Sequence, residues 1–191
     1  MIIRSRWLTT ISFAALLGAV LISARAETEN SGLIKLLTEL DEPRGLCFDI
    51  AGFRENIDLD VPMQAHTCKS NPRAQEDEIF SMSHPQSGNI HNAAYDVCVD
   101  VVAIVERGSV FVRPCSDSAT QQFVLTADHE LRPAGDSGLC IAASPTPSHP
   151  AVRAGRTPEP GVTNVARAMS LAPCDEVEDA LKHWHFSGGQ E

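Results

Sequence analysis

The residue types in this chain that could do chemistry are cysteine, histidine, aspartate and one glycine-flanked serine. The six cysteines stand far apart, with no Cys-x-x-Cys among them. That spacing disfavours a zinc ribbon or a thioredoxin-type centre and favours disulfides in an oxidising compartment. Gly135-Asp136-Ser137-Gly138, with Asp128-His129 just upstream, offers the residue types of an activated serine nucleophile. His183 and His185 flank Trp184, but strand alternation puts both on the face opposite the indole, and no third ligand is close in sequence. The 25 acidic residues include no pair ordered at a defined spacing for glycoside hydrolysis, and no Gly-x-Ser-x-Gly elbow is present. The expectation is no metal, no cofactor and no enzyme.

Across the whole chain, 15 Lys+Arg against 25 Asp+Glu leave a formal net charge of -10 over 191 residues. This argues against a nucleic-acid binder, which needs a basic face for the phosphates, and the length allows one domain or two small ones. Arg4 and Arg6 precede an apolar run from Trp7 to Ser23, which ends in the small-x-small triplet Ala24-Arg25-Ala26. We read residues 1–26 as a signal peptide cleaved after Ala26, because Thr9, Thr10 and Ser12 interrupt the run and about 20 apolar residues are needed to span a bilayer. Residues 27–191 are then expected as a single secreted or periplasmic domain, a monomer with no membrane span and no cysteine at its start to carry a lipid.

A repeat organises that domain. Leu46-Cys47-Phe48-Asp49-Ile50, Val97-Cys98-Val99-Asp100-Val101 and Leu139-Cys140-Ile141-Ala142 are one phrase written three times, 51 and then 42 residues apart. If each phrase opens a hairpin stapled by its own next cysteine, the midpoint of each pair must be a turn. Cys98 and Cys115 centre on Glu106-Arg107-Gly108-Ser109, between Val101-Val102-Ala103-Ile104-Val105 and Val110-Phe111-Val112. Cys47 and Cys68 centre on Glu55-Asn56-Ile57-Asp58, and Cys140 and Cys174 on the proline-rich stretch 145–161. Of fifteen possible pairings, this hairpin argument selects Cys47–Cys68, Cys98–Cys115 and Cys140–Cys174. An aromatic then ends a short polar run in each unit, at Phe80, Phe123 and Trp184, as one core layer would require. Short strands, frequent turns and no long helical period make the chain all-β, and three units closing about one axis make a β-trefoil.

Cys-x-Asp, a second cysteine and Gln-x-aromatic, repeated three times, resembles the ricin B-type lectin domain, a β-trefoil that binds sugars. The resemblance runs from about Leu36 to Phe186 and is fullest in the middle unit, with Cys98-Val99-Asp100, Arg113-Pro114-Cys115 and Gln121-Gln122-Phe123. Glu78 and Lys182 stand where that family has Gln, and Ala142 where it has Asp. Sites resembling the family's would draw on the Asp of Cys-x-Asp, a planar residue two before the second cysteine, and polar residues beside the Gln-x-aromatic motif. Such a site needs acceptors for hydroxyls and a flat side chain for the apolar ring face. The resemblance therefore implies Asp49, His66, Asp77 and Glu78 in the first unit, and Asp100, Arg113 and Gln121, with Thr120, in the second. Counting acceptors ranks the first unit as the main site and leaves the third, with Ala142, Ala172 and Lys182, without one.

Gly135-Asp136-Ser137-Gly138 also resembles the nucleophile phrase of chymotrypsin-like proteases. The repeat accounts for it instead, since it holds the place before Leu139-Cys140 that Glu42 to Gly45 hold before Leu46-Cys47, and no second barrel's worth of chain exists. The function expected is a carbohydrate-binding module whose partners are glycans or glycoconjugates. The alternative is a protein-binding trefoil working through the proline-rich loop around Arg153 and Arg156.

Overall fold

The computed structural model describes residues 31–82, 88–136, 138–151 and 163–188. The expected export segment, Ser137, Arg153 and Arg156 lie outside them. The first repeat holds β1 (Ser31–Leu36), β2 (Leu46–Asp49), β3 (Gln64–Thr67) and β4 (Ile79–Met82), and the second holds β5 (Ile90–Asn92), β6 (Val97–Val101), β7 (Val110–Arg113) and β8 (Phe123–Leu125). The third has β9 (Leu131–Pro133), β10 (Leu139–Ala143), a short β11 (His149–Pro150), β12 (Val165–Pro173) and β13 (Trp184–Phe186), with one helical turn, α1 (Asp179–Lys182), before the last strand.

Outer strands of each repeat close a ring. Within repeats, Gly32 of β1 faces Phe80 of β4, Gly88 and Phe123 exchange backbone hydrogen bonds of 3.1 and 3.0 Å, and Glu130 bridges to His183. Between repeats, Ser81 of β4 pairs with His91 of β5, Phe123 of β8 with Pro133 of β9, and Trp184 of β13 with Leu36 of β1. Six strand positions thus form a nearly closed barrel. The inner pairs β2–β3, β6–β7 and β10–β12 are hairpins that cap it. They meet one another where Ala166 pairs with His66, Met63 N–H donates to Val110 (2.8 Å) and Ser109 bridges to Ser170. This is the β-trefoil expected.

Phe80, Phe123 and Trp184 are fully buried at matching places in the last strand of each repeat. Each contributes roughly 1.5–3 kcal/mol of burial. Trp184 packs edge-on to Phe48 with ring centroids 4.7 Å apart, and its Nε1–H donates to the Ile141 carbonyl at 2.8 Å, so no indole donor is stranded in the core. Each hairpin carries its own disulfide, Cys47–Cys68, Cys98–Cys115 and Cys140–Cys174, with Cα separations of 5.1, 4.9 and 5.3 Å.

One expected strand is shorter than its sequence suggests. β6 stops at Val101, and the apolar run Val102-Ala103-Ile104-Val105 folds into the turn instead. Val105 N–H bonds Ala103, while Arg107 N–H donates to Leu171 and Leu171 N–H to Gly108, tying the turn to β12. A Cβ on Gly108 would lie 2.4 Å from the Ala103 carbonyl oxygen, so only glycine allows this close return. No helix among the described residues is long and apolar enough to cross a membrane.

Candidate functional site

All three hairpins share one register. The first cysteine faces the residue two before the second, as Cys47–His66, Cys98–Arg113 and Cys140–Ala172. Asp49, Asp100 and Ala142 therefore occupy one structural position, and Glu78, Gln121 and Lys182 another, two residues before the core aromatic. The seven residues expected to bind sugar fall into two groups, one in each of the first two repeats.

In the second repeat the buried Gln121 orders its surroundings through both ends of its amide. Its Oε1 accepts Ser116 N–H at 2.7 Å, and its Nε2 donates to Pro114 O (3.1 Å) and to Asp100 Oδ2 (2.8 Å). A 3-10 turn over Ala119–Gln121, capped by the Ser118 hydroxyl, aims it there. Asp100 is half-buried, and its Oδ1 has no partner among the described residues. Val99, Val101, Val110 and Val112 alternate inward, so Asp100, Phe111 and Arg113 share the outer face. Phe111 lies directly opposite Asp100. The Arg113 guanidinium sits 4.8 Å from its ring centroid and is pinned by Nη1 to the carbonyls of Leu59 (2.8 Å) and Val112 (2.9 Å). The result is a half-open acceptor beside a flat, partly apolar shelf.

The first repeat turns the same positions inward. Asp49, Asp77 and Glu78 are at most 1% exposed and His66 7%, and all four gather round Lys69, the residue after Cys68. Lys69 Nζ donates to Asp49 Oδ2 (2.7 Å) and Asp77 Oδ2 (2.6 Å) and lies 3.5 Å from Glu78 Oε1. Gln64 donates to Asp49 Oδ1 at 2.8 Å, and Glu78 Oε2 accepts Lys69 N–H at 2.9 Å. His66 Nδ1 is 2.9 Å from the Thr67 carbonyl, which can only accept, so that nitrogen carries a proton. Asp77 Oδ1 and Glu78 Oε1 are buried with no hydrogen-bond partner. Three carboxylates thus face one ammonium and one imidazole. Burial, then the Asp49 charge, push the Asp77 carboxyl up to about 6 despite Lys69. Burial likewise raises Asp49 against the pull of His66 and Lys69. His66 is raised because the Glu78 and Asp49 carboxylates outweigh the burial that opposes its charge.

Asp49, His66 and Glu78 place one ligand atom each within 4.8 Å of the others, but the cation held in their midst is the chain's own ammonium. The other such group, Glu130 with Cys140 and Cys174, has its sulfurs joined to each other. In the third repeat Lys182 takes the Gln121 position, bonds the Cys174 carbonyl and pairs with Glu130 (3.2 Å) and Asp179 (3.1 Å), and Ala142 offers no carboxylate at the Asp100 position. Asp136 Oδ1 accepts Gly138 N–H at 2.7 Å, closing the turn that enters β10.

Two participants were not singled out by sequence reasoning. A hairpin centred between Cys98 and Cys115 sets Asp100 against position 113, and only the observed register, with Cys98 facing Arg113, brings Phe111 there instead. Lys69 was signalled only by the excess of carboxylates in the first repeat.

The model of the ricin-type beta-trefoil lectin domain matches residues 86–191 of this chain. Among solved structures, the cytolethal distending toxin from Actinobacillus actinomycetemcomitans aligns with a TM-score of 0.52 at 14% identity, over 84% of this chain and 92% of that one. The Haemophilus ducreyi cytolethal distending toxin gives 0.53 at 13% identity, over 84% of each chain. ThreeFoil, a designed 3-fold symmetric protein, gives 0.55 at 9% identity, over 81% of this chain and 97% of its own. At these identities the likeness is one of fold. No curated protein matches the sequence.

Proposed function

This chain belongs to the ricin-type beta-trefoil lectin family, and from that premise we propose that it is an exported, non-catalytic carbohydrate-binding module whose working site lies in the second repeat. The observation that supports this most is the state of Asp100. One carboxylate oxygen is fixed by Gln121 at 2.8 Å, while the other is open beside Phe111 and Arg113. A sugar laid on that shelf donates a hydroxyl to Asp100 Oδ1 and sets its apolar face against the ring. In the first repeat the corresponding acceptors already bind Lys69, so Asp49, His66, Asp77 and Glu78 act as an internal ionic brace. A ranking by count of acceptors favours the first repeat. A ranking by acceptors that are both unpartnered and accessible favours the second, because the unpartnered oxygens of the first, Asp77 Oδ1 and Glu78 Oε1, are buried.

A single shallow site of this kind binds in the millimolar class unless several molecules engage one glycan surface. The test is a glycan array probed with the purified, oxidised protein and with Asp100→Asn. We expect binding by the wild type that is lost in the variant. Binding unchanged by Asp100→Asn removes the site assignment.

A protein-binding trefoil is the second reading, favoured by Val102 and Val105, which are 67% and 54% exposed in the β6–β7 turn. An array without hits would move the proposal there.

A further inference from the structure

We propose that the second-repeat site selects acidic sugars, with the Arg113 guanidinium binding a sugar carboxylate while Asp100 takes the hydroxyls. This rests on the lectin reading and narrows its ligand class. The guanidinium is held in place from two sides, by the Phe111 ring 4.8 Å away and by Nη1 bonded to the carbonyls of Leu59 and Val112. Those contacts fix the plane of the fork and leave Nε and Nη2 without a partner among the described residues. A preordered guanidinium edge with two parallel N–H groups matches a carboxylate, which accepts both at once, better than it matches a lone hydroxyl.

Arg113 forms no ion pair with a described residue, although it sits diagonally across the β6–β7 ladder from Asp100. The face therefore offers a cation and an anion side by side, each half-satisfied. A neutral hexose answers Asp100 alone. A hexuronate answers both, since its ring hydroxyls donate to Asp100 and its carboxylate meets Arg113. The first repeat has His66 at the Arg113 position, turned to the Thr67 carbonyl, and the third has Ala172, so this combination occurs once in the fold. With a net charge of -10, the protein as a whole repels anions. A preference for them needs a local cation, which Arg113 supplies on the face it shares with Asp100.

Titration calorimetry with D-galacturonate, D-glucuronate, D-galactose and D-glucose tests this on wild type, Arg113→Gln and Asp100→Asn. The hexuronates are expected to bind at least about tenfold more tightly than their neutral parents, consistent with a charge-assisted pair in place of a neutral one. Arg113→Gln should erase the ratio of hexuronate to neutral-parent affinity, whereas Asp100→Asn should weaken all four sugars. If Arg113→Gln loosens the hairpin, seen as altered Trp184 fluorescence, Arg113→Lys carries the test, because it keeps the charge, loses the fork and should keep only part of the preference. Equal binding of hexuronates and neutral parents, with both weakened by Asp100→Asn, overturns the inference and leaves the lectin reading intact. Absence of binding for all four overturns both.

Discussion

Gln121 in the second repeat and Glu78 in the first occupy the same place in the trefoil, and one atom separates them. Gln121 uses its amide N–H groups to hold the Pro114 carbonyl and Asp100. Glu78 has no such donor, and the first repeat replaces both bonds from elsewhere. His66 bonds the Thr67 carbonyl, and Lys69 reaches in to Asp49. The replacements succeed structurally, but the ammonium then engages the acceptors that a sugar would need. In the second repeat the serine after the cysteine, Ser116, sends only its backbone N–H to Gln121, and Asp100 keeps a free oxygen. Sites in a threefold protein can therefore diverge one at a time while the shared backbone register is preserved.

The sharpest way to break this comparison is to remove Lys69. Lys69→Met leaves three buried carboxylates without their ammonium, and stability should fall by about 3–5 kcal/mol, read from urea unfolding. Ser116→Ala, at the matching position, should change it by less than about 0.5 kcal/mol. Similar small losses in both would mean that the Lys69 group is not a brace.

Binding reads the same contrast from the other side. Asp100→Asn should cost about 1.5–3 kcal/mol in affinity for the best array glycan, a ten- to hundredfold loss. Asp49→Asn should leave that affinity within twofold.

Acid titration separates the repeats further. Asp77, held at about 6 against an ordinary 3.8, binds its proton more readily in the folded chain, so its contribution to stability is full below about 4 and is lost as pH rises through about 6. The raised His66 acts in the same direction, with stability lost as pH rises above its ordinary 6.5. Asp41 and Glu42 are opposed to these. Ser148 and Arg167 outweigh burial at Asp41, and Arg44 leads at Glu42, holding both at about 2. Their stabilisation is present above about 4.5 and is lost as pH falls through about 2. The melting temperature should therefore rise from pH 7.5 to pH 5, by the equivalent of about 1–3 kcal/mol, and fall in stronger acid. Asp77→Asn should flatten the rise.

The smallest expected signal is a null result. Trp184, the one tryptophan after residue 26, should emit in the blue and resist soluble quenchers because it is fully buried. Emission typical of exposed indole would break the equivalence of the three core aromatics.

Much of this was legible in the sequence because the relevant physics is local. Cysteine spacing located the hairpins, since a stapled pair of arms must centre on a turn, and the aromatic ending each polar run located the core. Where Val102 to Val105 were read as strand, apolar β-branched residues followed strand propensity, while Gly108 and the Leu171 backbone drew them into a turn. The candidate site was legible in composition but not in state. Asp49 and Asp100 look alike in their Cys-x-Asp phrases, and only packing shows that an ammonium from beyond the second cysteine reaches one and not the other.

The contrast between an engaged first repeat and an open second one is tested most directly by amide NMR of the oxidised protein titrated with D-galactose and D-galacturonate. The account predicts shifts at Asp100, Phe111, Arg113 and Gln121, with Cys47 to Glu78 unmoved. Shifts centred on Asp49, His66 and Glu78, with the β6–β7 hairpin silent, would contradict it.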